Sequence, residues 1–596
     1  MPPAEKLEAL RTLMKIHQVE AWVVPSADPH GSEYVAAHWQ ARAFLSGFRG
    51  SAGSLVVTLE AAGLWTDPRY HIRAAQELAG SGIQLFKAGL PGTPSISDWL
   101  GQVLPKGARV GFYGAVLSSL EASSLGKALI EQGLKLEWGD DLVGQIWSDR
   151  PSIPIEPIYL YDEVFAGESR AAKLERIRAG MRSLQADYHL LCALDDIAWS
   201  LNIRGSDIDH NPVAVCYALV GERTVELFIN PQKAPDEVRA ALASDGVSLR
   251  PYAEIEQALA ELPAGCSILI DPEKTNVRLS GLIPAACRVM EGLSLPYKMK
   301  TIKNPVELAG LRRMQVRDGA ALARWLCWLE AHVPCGNVTL GAYTEITAAD
   351  KLRDFRAQDE YFRGLSFGTI AGYGSNSAVG HYQSDPLSAP TLRAEGIFLI
   401  DSGGQYLDGT SDITRTITLG KPTPEQKQVF TTVLKSHIRL ASASFPRGTR
   451  GQQLDAVARE PLWRQGWNCR HGIGHGVGHF LNVHENPPRF NEVNNTVLEA
   501  GMLLSNEPGV YFEGRFGVRL ENLLVVVPHT GSEFGEFLAF ETVSLCPIDL
   551  DLVEPGMLTR DERDWLNEYH QRVCEMLTPL LNEAEREWLR RETREI

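Results

Sequence analysis

Four acidic residues and one histidine stand in three glycine-punctuated segments of this chain of 596 residues. They are Asp401 and Asp412 in LIDSGGQYLDGTSDITRT, His475 in HGIGHGVGHFLNVHENP, and Glu507 and Glu521 in SNEPGVYFEGRFGVRLEN. Carboxylate oxygens with one imidazole suit divalent cations such as manganese, and a set without cysteine argues against a structural zinc site. Four carboxylates held together repel one another, whereas two divalent cations balance their four negative charges. Such a pair of cations lowers the pKa of a shared water molecule, so the sequence predicts a dinuclear metallohydrolase.

The acidic segments also indicate how the carboxylates are held. GIFLIDSGGQYLDGTSDITRTITLG reads as two apolar strands joined by a turn rich in Gly and Asp, with Asp401 closing the first strand and Asp412 opening the second. MLLSNEPGVYFEGRFGVRLENLLVVV repeats the arrangement, with Glu507 and Glu521 on its two arms. Singly, each acid is typical of an ordinary turn, but ligands carried on strands in this order suit a rigid site for two metal ions.

The order and spacing of the five residues resemble the aminopeptidase P (Xaa-Pro aminopeptidase) family. That family belongs to the pita-bread group, which also holds prolidases, methionine aminopeptidases and creatinases. The acids of each pair lie eleven residues (401 to 412) and fourteen residues (507 to 521) apart, as they do in that family. The resemblance covers almost the whole chain and is nearest to the long, three-domain, cytosolic type. It implies two divalent cations, with Mn²⁺ favoured over Zn²⁺, Co²⁺ or iron, held by Asp401, Asp412, His475, Glu507 and Glu521.

Four histidines lie in the short segment from His471 to His484, and their spacing alone does not tell a ligand from an ordinary loop histidine. The resemblance implies that His475 is the ligand, since the two glycines beside it would let the backbone come close to the metal. It places His484 against the carbonyl oxygen of the scissile bond and His471 among the active-site histidines, and it leaves His479 without a role. His381, in AVGHY, would ordinarily be structural, but the resemblance implies that it binds substrate and helps to transfer protons.

Four further residues belong to family-like blocks. Arg519, two residues before Glu521, is expected on the same strand face as that ligand, where it can orient the ligand carboxylates or brace the site. Tyr511, in EPGVY, suits a hydroxyl that supports the reaction as well as it suits a buried core tyrosine; we place both residues at the substrate site. Arg69, in WTDPRY, has the plain interpretation of a domain-bracing arginine, whereas the resemblance implies that it reaches toward substrate. Glu33, in GSEY, has no assigned role.

The composition is that of an ordinary globular protein with an acidic balance. Hydrophobic residues make up 44% of the chain and charged residues 22%, and the formal net charge of -16, with no basic block, argues against a nucleic-acid or anionic-membrane surface. MPPAEKLEALRTLMKIHQ lacks the apolar centre of a signal peptide, and no stretch approaches the roughly 18 apolar residues of a membrane span. Nine scattered cysteines without a CxxC pair are expected to be reduced thiols. These features predict a cytoplasmic protein that binds neither nucleic acid nor membrane.

Two N-terminal segments indicate an internal repeat. FLSGFRGS (44–51) and WSLNIRGS (199–206) share aromatic, apolar and Arg-Gly-Ser positions at an offset of 155 residues. Each lies between two apolar runs and is followed by a helical pattern, which suggests two related α/β domains. The predicted strands and helix are 21–25, 54–58 and 70–78 around the first copy, and 188–194, 213–220 and 234–244 around the second.

The repeat and the resemblance together predict an α/β (α+β) fold. A chain of 596 residues is too long for one core, and the resemblance implies two related creatinase-like α/β domains followed by a pita-bread catalytic domain and a helical C-terminal extension. A Pro-rich linker at 148–158 marks the first boundary, and Asn304 and Pro305 are expected to begin a long helix as its N-cap and first residue. The predicted domains are 1–150, 151–303, 304–530 and 531–596. Helices are expected at 306–334, 341–357, 424–443, 451–466 and 561–577, and strands within 367–420 and 473–527.

The reaction implied by these parts is hydrolysis of the bond between an N-terminal residue and a following proline. Hydroxide held by the metals attacks the carbonyl carbon, and Glu507 also takes the proton of the water. His484 and the metals stabilise the oxyanion, while His381 handles protons or holds the peptide at the leaving side. Proline lacks an amide N–H and has a fixed φ, so a pocket shaped for its ring would give the specificity.

Three alternatives have discriminating features. A prolidase, acting on Xaa-Pro dipeptides, would need a site closed to longer peptides. A creatinase uses this fold without metals, which the complete set of five ligand residues disfavours. A non-catalytic pita-bread module that binds peptides or histones would have lost ligands and often carries a long acidic tail, and this sequence shows neither. The resemblance also implies a homodimer.

Overall fold

A computed structural model of the chain describes residues 1–333 and 343–596. These residues divide into one unit of residues 1–163 and 168–297 and a second of residues 164–167 and 298–596. Three features of the sequence lie outside the described residues: the predicted C-terminal end of one helix at 334, the predicted start of the next at 341–342, and the ninth cysteine, Cys335. The other eight cysteines form no disulfide.

Most elements of the first unit are short strands and helices in alternation. Its strands are β1 Ala21–Pro25, β2 Ser54–Thr58, β3 Ala62–Thr66, β4 Gln84–Lys87, β5 Arg109–Tyr113, β6 Lys135–Gly139, β7 Tyr159–Leu160, β8 Tyr188–Leu191, β9 Ile203–Arg204, β10 Tyr217–Gly221, β11 Val225–Phe228, β12 Val247–Arg250, β13 Ser267–Ile270 and β14 Arg288–Glu291. The helices up to residue 299 are α1 Pro3–Ile16, α2 Ala41–Ser46, α3 His71–Glu77, α4 Ile96–Val103, α5 Ser119–Glu131, α6 Leu142–Ile146, α7 Glu163–Ala166, α8 Arg170–Leu184, α9 Leu194–Leu201, α10 Asp236–Ser244, α11 Ile255–Ala260, α12 Val277–Leu282 and α13 Leu295–Met299.

The predicted repeat is confirmed by two six-stranded sheets of the same topology. Their strand orders are β4-β3-β2-β1-β5-β6 and β12-β11-β10-β8-β13-β14. In each sheet the first strand of the repeat pairs antiparallel with the second and parallel with the fifth. The third strand is antiparallel to the second and parallel to the fourth, and the sixth is parallel to the fifth. Two copies of one α/β plan therefore form the first unit.

The two copies also share a proline turn after their third strand. The side chains of Asp67 and Asn230 each accept a hydrogen bond of 3.0 Å from the backbone N–H two residues further on, and a proline lies between. That next residue is Arg69 in the first copy and Gln232 in the second. The arginine predicted to reach substrate therefore has no counterpart in the second copy.

The second unit combines long helices with strongly paired strands. Its strands are β15 Phe362–Leu365, β16 Ile370–Tyr373, β17 Ile397–Ser402, β18 Gly404–Tyr406, β19 Gly409–Thr410, β20 Ile413–Thr418, β21 Ser444–Pro446, β22 Gly474–Gly476, β23 Glu485–Phe490, β24 Leu503–Asn506, β25 Gly509–Phe512, β26 Phe516–Arg519, β27 Asn522–Ser532 and β28 Gly535–Thr542. Its helices are α14 Pro305–His332, α15 Glu345–Arg356, α16 Pro424–Ala441, α17 Gly451–Trp463, α18 Arg560–Leu577 and α19 Glu583–Glu592.

The predicted start of the long helix α14 is confirmed. The Asn304 side chain accepts hydrogen bonds from the backbone N–H groups of Val306 and Glu307 at 2.9 and 3.0 Å, and the Glu307 carboxylate accepts one from the backbone N–H of Asn304. This reciprocal pair satisfies N–H groups that have no partner inside the helix, and Pro305 at the first position lacks an N–H altogether.

Two antiparallel strand pairs form the arms that the acidic segments predicted. β17 pairs with β20 so that Ser402 faces Ile413, and β24 pairs with β27 so that Asn506 faces Asn522. The connections are not simple turns, because each contains a hairpin of its own, β18–β19 in the first and β25–β26 in the second. Each carboxylate therefore stands at a junction between a long arm and a short hairpin.

The arm strands pack against one continuous hydrophobic core. Fully buried apolar side chains from α14, β17, α16, β24 and α18 belong to the same cluster, and one from each element is Trp325, Phe398, Phe430, Leu504 and Leu566. Close packing of this kind resists small displacements, so the strands that carry the acids form a rigid frame.

The C-terminal extension is helical at α18 and α19 but begins with a strand. The hairpin β27–β28 runs from residue 522 to 542 and passes through the boundary predicted between 530 and 531. The predicted domain boundaries stay predictions. Among the helices of residues 1–333 and 343–596, none has the length and apolarity needed to cross a membrane.

Candidate metal centre

The predicted ligand residues lie where the arm strands meet their hairpins. Asp401 is the penultimate residue of β17, Asp412 precedes β20, Glu507 follows β24, Glu521 precedes β27, and His475 is the central residue of β22. One ligand atom each from Asp412, His475 and Glu521 lies within 4.8 Å of the other two. The centre thus brings together Asp412 and Glu521, which lie more than a hundred positions apart in the sequence.

His475 presents one ring nitrogen to two of the carboxylates. Its Nε2 lies 3.4 Å from an oxygen of Asp412 and 3.5 Å from an oxygen of Glu507. Its Nδ1 lies 2.8 Å from the carbonyl oxygen of Gly476, which only accepts, so Nδ1 carries the proton and Nε2 presents its lone pair. Burial, with His484 nearby, lowers the pKa of His475 to about 4, so the ring is neutral at pH 7. This is the tautomer that a metal ligand needs.

The glycines beside His475 serve the neighbouring strands. A Cβ at Gly474 would collide with the carbonyl oxygen of Ser505 on β24, and a Cβ at Gly476 would lie 2.5 Å from the carbonyl oxygen of Glu485 on β23. Close approach of two strand backbones on either side of β22 therefore requires these glycines, and the expected approach of the backbone to the metal stays a prediction.

A hydrogen-bonded chain joins one ligand to a second histidine. Arg519 donates to Asp401 Oδ2 at 2.5 Å and to the hydroxyl of Tyr511 at 2.7 Å. The Tyr511 hydroxyl donates to Nε2 of His471, 2.8 Å away, because the other ring nitrogen, Nδ1, carries the proton. Nδ1 of His471 then donates to the carbonyl oxygen of Gly472 at 2.8 Å, and burial lowers the pKa of His471. Arg519 thus orients a ligand carboxylate and fixes the protonation of its neighbours.

Two threonines that sequence reasoning did not single out complete this arrangement. The Thr414 hydroxyl donates to Glu521 Oε2 at 2.8 Å and accepts from Nε of Arg519 at 3.2 Å. The Thr416 hydroxyl accepts from the backbone N–H of Arg519 at 3.1 Å and donates to its carbonyl oxygen at 2.9 Å. Both lie on the Asp412 face of β20, since side chains two residues apart on a strand point the same way. This spacing of two residues from Asp412 is the sequence signal by which the two threonines could have been identified.

The carboxylates are crowded and largely buried. Burial raises the pKa of Asp412 to about 6 and raises that of Glu521 well above its ordinary value, with Asp412 adding to the latter effect. Burial also raises the pKa of Asp401, although Arg519 opposes it. The second oxygen of Asp401, Oδ1, is buried and has no hydrogen-bond partner among the described residues. Divalent cations would balance the negative charge of these carboxylates and would coordinate the oxygen that has no hydrogen-bond donor. The residues therefore fit a metal site.

Of the other predicted histidines, His484 lies against this centre, and His381 belongs to a segment that contacts β26. The ring of His484 packs edge-on against that of His475, with centroids 4.3 Å apart. His381 follows a short 3-10 helix, Gly374–Ala378, in which the Ser377 hydroxyl accepts from the N–H of Gly517 on β26 at 2.9 Å. His479, which had no predicted role, is buried.

Arg69 belongs to the first unit. Its Nε and Nη2 donate to the two oxygens of Asp67 at 3.0 and 2.8 Å. Burial opposes its charge, but the hydrogen bond and charge of Asp67, aided by Glu33, keep the pKa of Arg69 above its ordinary value. The side chain is therefore a fixed cation, and its contact with substrate stays a prediction.

Comparison with known proteins identifies the family. Models described as Creatinase/Prolidase N-terminal domains match residues 6–142 and 149–307, Metallopeptidase family M24 matches 309–528, and the C-terminal region of peptidase_M24 matches 536–596. A probable Xaa-Pro aminopeptidase P of Coprinopsis cinerea is 40% identical over 617 residues, covering 99% of this chain and 98% of that one. Aminopeptidase P2 of Arabidopsis thaliana is 40% identical over 630 residues, covering 99% and 88%. The chain belongs to the Xaa-Pro aminopeptidase family of M24 metallopeptidases.

Solved structures confirm the predicted fold class. An X-prolyl aminopeptidase from Caenorhabditis elegans, described as a cytosolic enzyme with a di-nuclear active site, superposes with a TM-score of 0.96 at 35% identity and covers 100% of both chains. An Xaa-Pro dipeptidase from Bacillus anthracis shares the fold at a TM-score of 0.51 and 22% identity, but it covers 64% of this chain against 99% of its own. The protein is thus a hydrolase of the pita-bread class with creatinase-like N-terminal domains.

Proposed function

We propose that the protein is a metal-dependent aminopeptidase that releases the N-terminal residue from peptides whose second residue is proline. The observation that carries the proposal is the gathering of Asp412, His475 and Glu521 at one point, with Glu507 in contact with the same imidazole. This gathering occurs in a chain that matches an X-prolyl aminopeptidase over its full length, whereas a dipeptidase matches 64% of it. The full-length match favours an aminopeptidase over a prolidase.

Five residues are assigned to two divalent cations. They are Asp401, Asp412, His475, Glu507 and Glu521. Four carboxylates and one imidazole favour Mn²⁺, with Zn²⁺ and Co²⁺ as the other candidates. The orphaned Oδ1 of Asp401 and the tautomer of His475 support the assignment. When bound, the cations lower the pKa of a water molecule and supply positive charge to the oxyanion.

The chain's own groups are assigned to proton transfer and to charge stabilisation. Glu507 is the proposed proton acceptor, and the hydroxyl of Ser505 orients its carboxylate from 3.4 Å. His484, packed against His475, is proposed to donate to the carbonyl oxygen as negative charge develops there, an interaction whose loss typically costs about 3–4 kcal/mol. His381 is proposed to hold the peptide and to deliver a proton to the proline nitrogen that leaves.

The remaining candidate residues are assigned to the substrate. Tyr511 and His471 are proposed to line its path, since their hydrogen bonds to each other hold both side chains in one orientation. Arg519 is proposed to act on the substrate through Tyr511 and Asp401, because its guanidinium already donates to both. Arg69 is proposed to reach the peptide from the first unit.

We further propose that the protein acts in the cytoplasm as a homodimer and binds neither nucleic acid nor membrane. The net charge of -16 supports the last point, because phosphate backbones and anionic lipids repel an acidic surface. Size-exclusion chromatography with light scattering tests the dimer.

The function is tested with metal-reconstituted protein and a graded peptide series. Peptides of two, three and four residues with proline in second position are compared with the same peptides carrying alanine there, before and after chelation. We expect turnover of the longer proline peptides, little turnover of the dipeptides and of the alanine controls, loss of activity on chelation, and best recovery with manganese. Preference for the dipeptides moves the assignment to a prolidase. Full activity in protein shown by elemental analysis to be metal-free refutes the mechanism.

A further inference from the structure

The buried carboxylate of Glu345 holds a loop of the second unit in place through hydrogen bonds. Glu345, the first residue of α15, has no exposed surface. Its Oε1 accepts hydrogen bonds from the backbone N–H of Tyr373 at 2.6 Å and from the side-chain amide of Asn376 at 3.0 Å. Its Oε2 accepts from the hydroxyls of Tyr382 at 2.8 Å and Ser384 at 3.0 Å. All four donors belong to residues 373–384, so a single side chain holds both ends of this segment, which we call the anchored loop.

The anchored loop carries His381 and is seated on strands of the metal centre. The Ser384 hydroxyl also lies 3.3 Å from a backbone carbonyl oxygen of β16, which pairs with the strand that carries Asp401. Nearer the start of the loop, the Ser377 hydroxyl accepts from Gly517 on β26, the strand that ends at Arg519. The loop is therefore held by contacts with β16 and β26 as well as by Glu345.

We propose that Glu345 is a positioning residue for the peptidase reaction, holding the anchored loop so that His381 meets the substrate. The inference rests on the role proposed above for His381. Glu345 acts through hydrogen bonds and makes no contact with substrate.

The number of donors explains why a carboxylate occupies this position. The two carboxylate oxygens accept all four hydrogen bonds, whereas a glutamine has one acceptor oxygen, so the hydroxyls of Tyr382 and Ser384 would have to turn and accept from its amide. Burial, followed by the charge of Glu345, raises the pKa of Tyr382, so that hydroxyl remains a donor. A buried charge is costly unless hydrogen bonds compensate it, and bonds to a charged acceptor are the stronger kind. Glu345 therefore fixes the loop more firmly than a neutral residue of the same size.

The inference is tested with Glu345→Gln, using Asp350→Asn as the matched control. Asp350 lies on the same helix, is exposed, and undergoes the same acid-to-amide change without touching the loop. We expect Glu345→Gln to keep its bound metal, measured by elemental analysis, while kcat on an Xaa-Pro tripeptide falls roughly 10- to 100-fold through displacement of a reacting group. Hydrogen exchange of the amides in residues 373–384 should become at least about tenfold faster, with exchange elsewhere unchanged. The control should match wild type in all three measurements.

A double-mutant cycle separates action through His381 from a merely structural role. If Glu345 works by placing His381, Glu345→Gln causes no further loss of kcat in a His381→Ala background. A loss that adds in full to that of His381→Ala overturns the inference, and so does an unchanged kcat in Glu345→Gln. If Glu345→Gln does not fold, Tyr382→Phe, which removes one of the four donors and keeps the ring, should show the same faster exchange and a smaller fall in kcat; unchanged values there also overturn it.

The cycle also separates this inference from the function on which it rests. Full activity in His381→Ala would refute both the proposed role of His381 and the inference about Glu345. Low activity in His381→Ala together with normal activity in Glu345→Gln would refute only the inference about Glu345.

Discussion

Replacing Arg519 with methionine removes a buried cation from among the proposed metal-binding carboxylates. The Arg519 side chain is 4% exposed and that of Asp401 is 11% exposed. In metal-free protein the change leaves Asp401 unpaired, and removing one partner of a buried ion pair costs about 3–5 kcal/mol of unfolding free energy. In metal-loaded protein the cations balance Asp401, so the loss falls toward that of the hydrogen bonds with Tyr511 and Thr414, about 1–3 kcal/mol.

The difference between the two states predicts tighter metal binding in the variant. A stability loss that is about 2 kcal/mol larger without metal corresponds, by linkage, to roughly 30-fold stronger binding. Urea unfolding with and without manganese, together with a metal titration, measures both quantities. The control is Lys233→Met, since Lys233 pairs with Asp207, is equally buried and belongs to the first unit, whereas all five proposed ligands belong to the second; its loss should be the same in both states. Weaker metal binding in Arg519→Met would show that the guanidinium acts by orienting Asp401 and that its charge is secondary.

Three further predictions, which use four substitutions, test separate parts of the site and fold. His475→Ala should lose metal and activity together, whereas His484→Ala should keep its metal while kcat falls about 10²–10³-fold; retained metal in the first variant, or lost metal in the second, shows that the wrong histidine was assigned. Arg69→Ala should lower turnover of peptides at unchanged metal content, and an unaltered kcat/KM contradicts its role. Burial raises the pKa of Asp549 from 3.8 to about 7, so ionising it costs the folded state increasingly as pH rises from about 4 to 7. Thermal unfolding should therefore show Asp549→Asn gaining stability over wild type across that interval, and a difference independent of pH contradicts the reasoning.

The strand pairs that carry the carboxylates were predictable because their pattern is local. Apolar runs on both sides of LIDSGG and SNEPGV indicate strands, and the glycines that interrupt them indicate turns. The start of α14 was predictable for the same reason, since Asn304 and Pro305 are adjacent signals. In the first unit, one short match at an offset of 155 residues predicted two related α/β domains, and the structure shows them as two sheets of one topology.

Contacts between distant residues were not predictable from one sequence. Glu345 lies 37 residues before Tyr382, and nothing in YTEIT marks it as more than the start of a helix. The strand β28 was also missed, although its alternating GEFLAFET is a strand pattern, because the predicted strands ended at residue 527. Both misses concern pairing partners, which are decided by tertiary packing and not by local propensity.

The spacing of the acids has a structural explanation that the sequence did not supply. Eleven residues separate Asp401 from Asp412, and fourteen separate Glu507 from Glu521, because each interval contains one hairpin: β18–β19 in the first and β25–β26 in the second. The antiparallel registers of β17 with β20 and of β24 with β27 bring each pair together whatever the length of the hairpin. The separation of the carboxylates in space is therefore set by the arms, and the separation in sequence by the hairpins. The second hairpin also serves the site, since it carries the two residues, one on each strand, whose hydrogen bond joins Asp401 to His471.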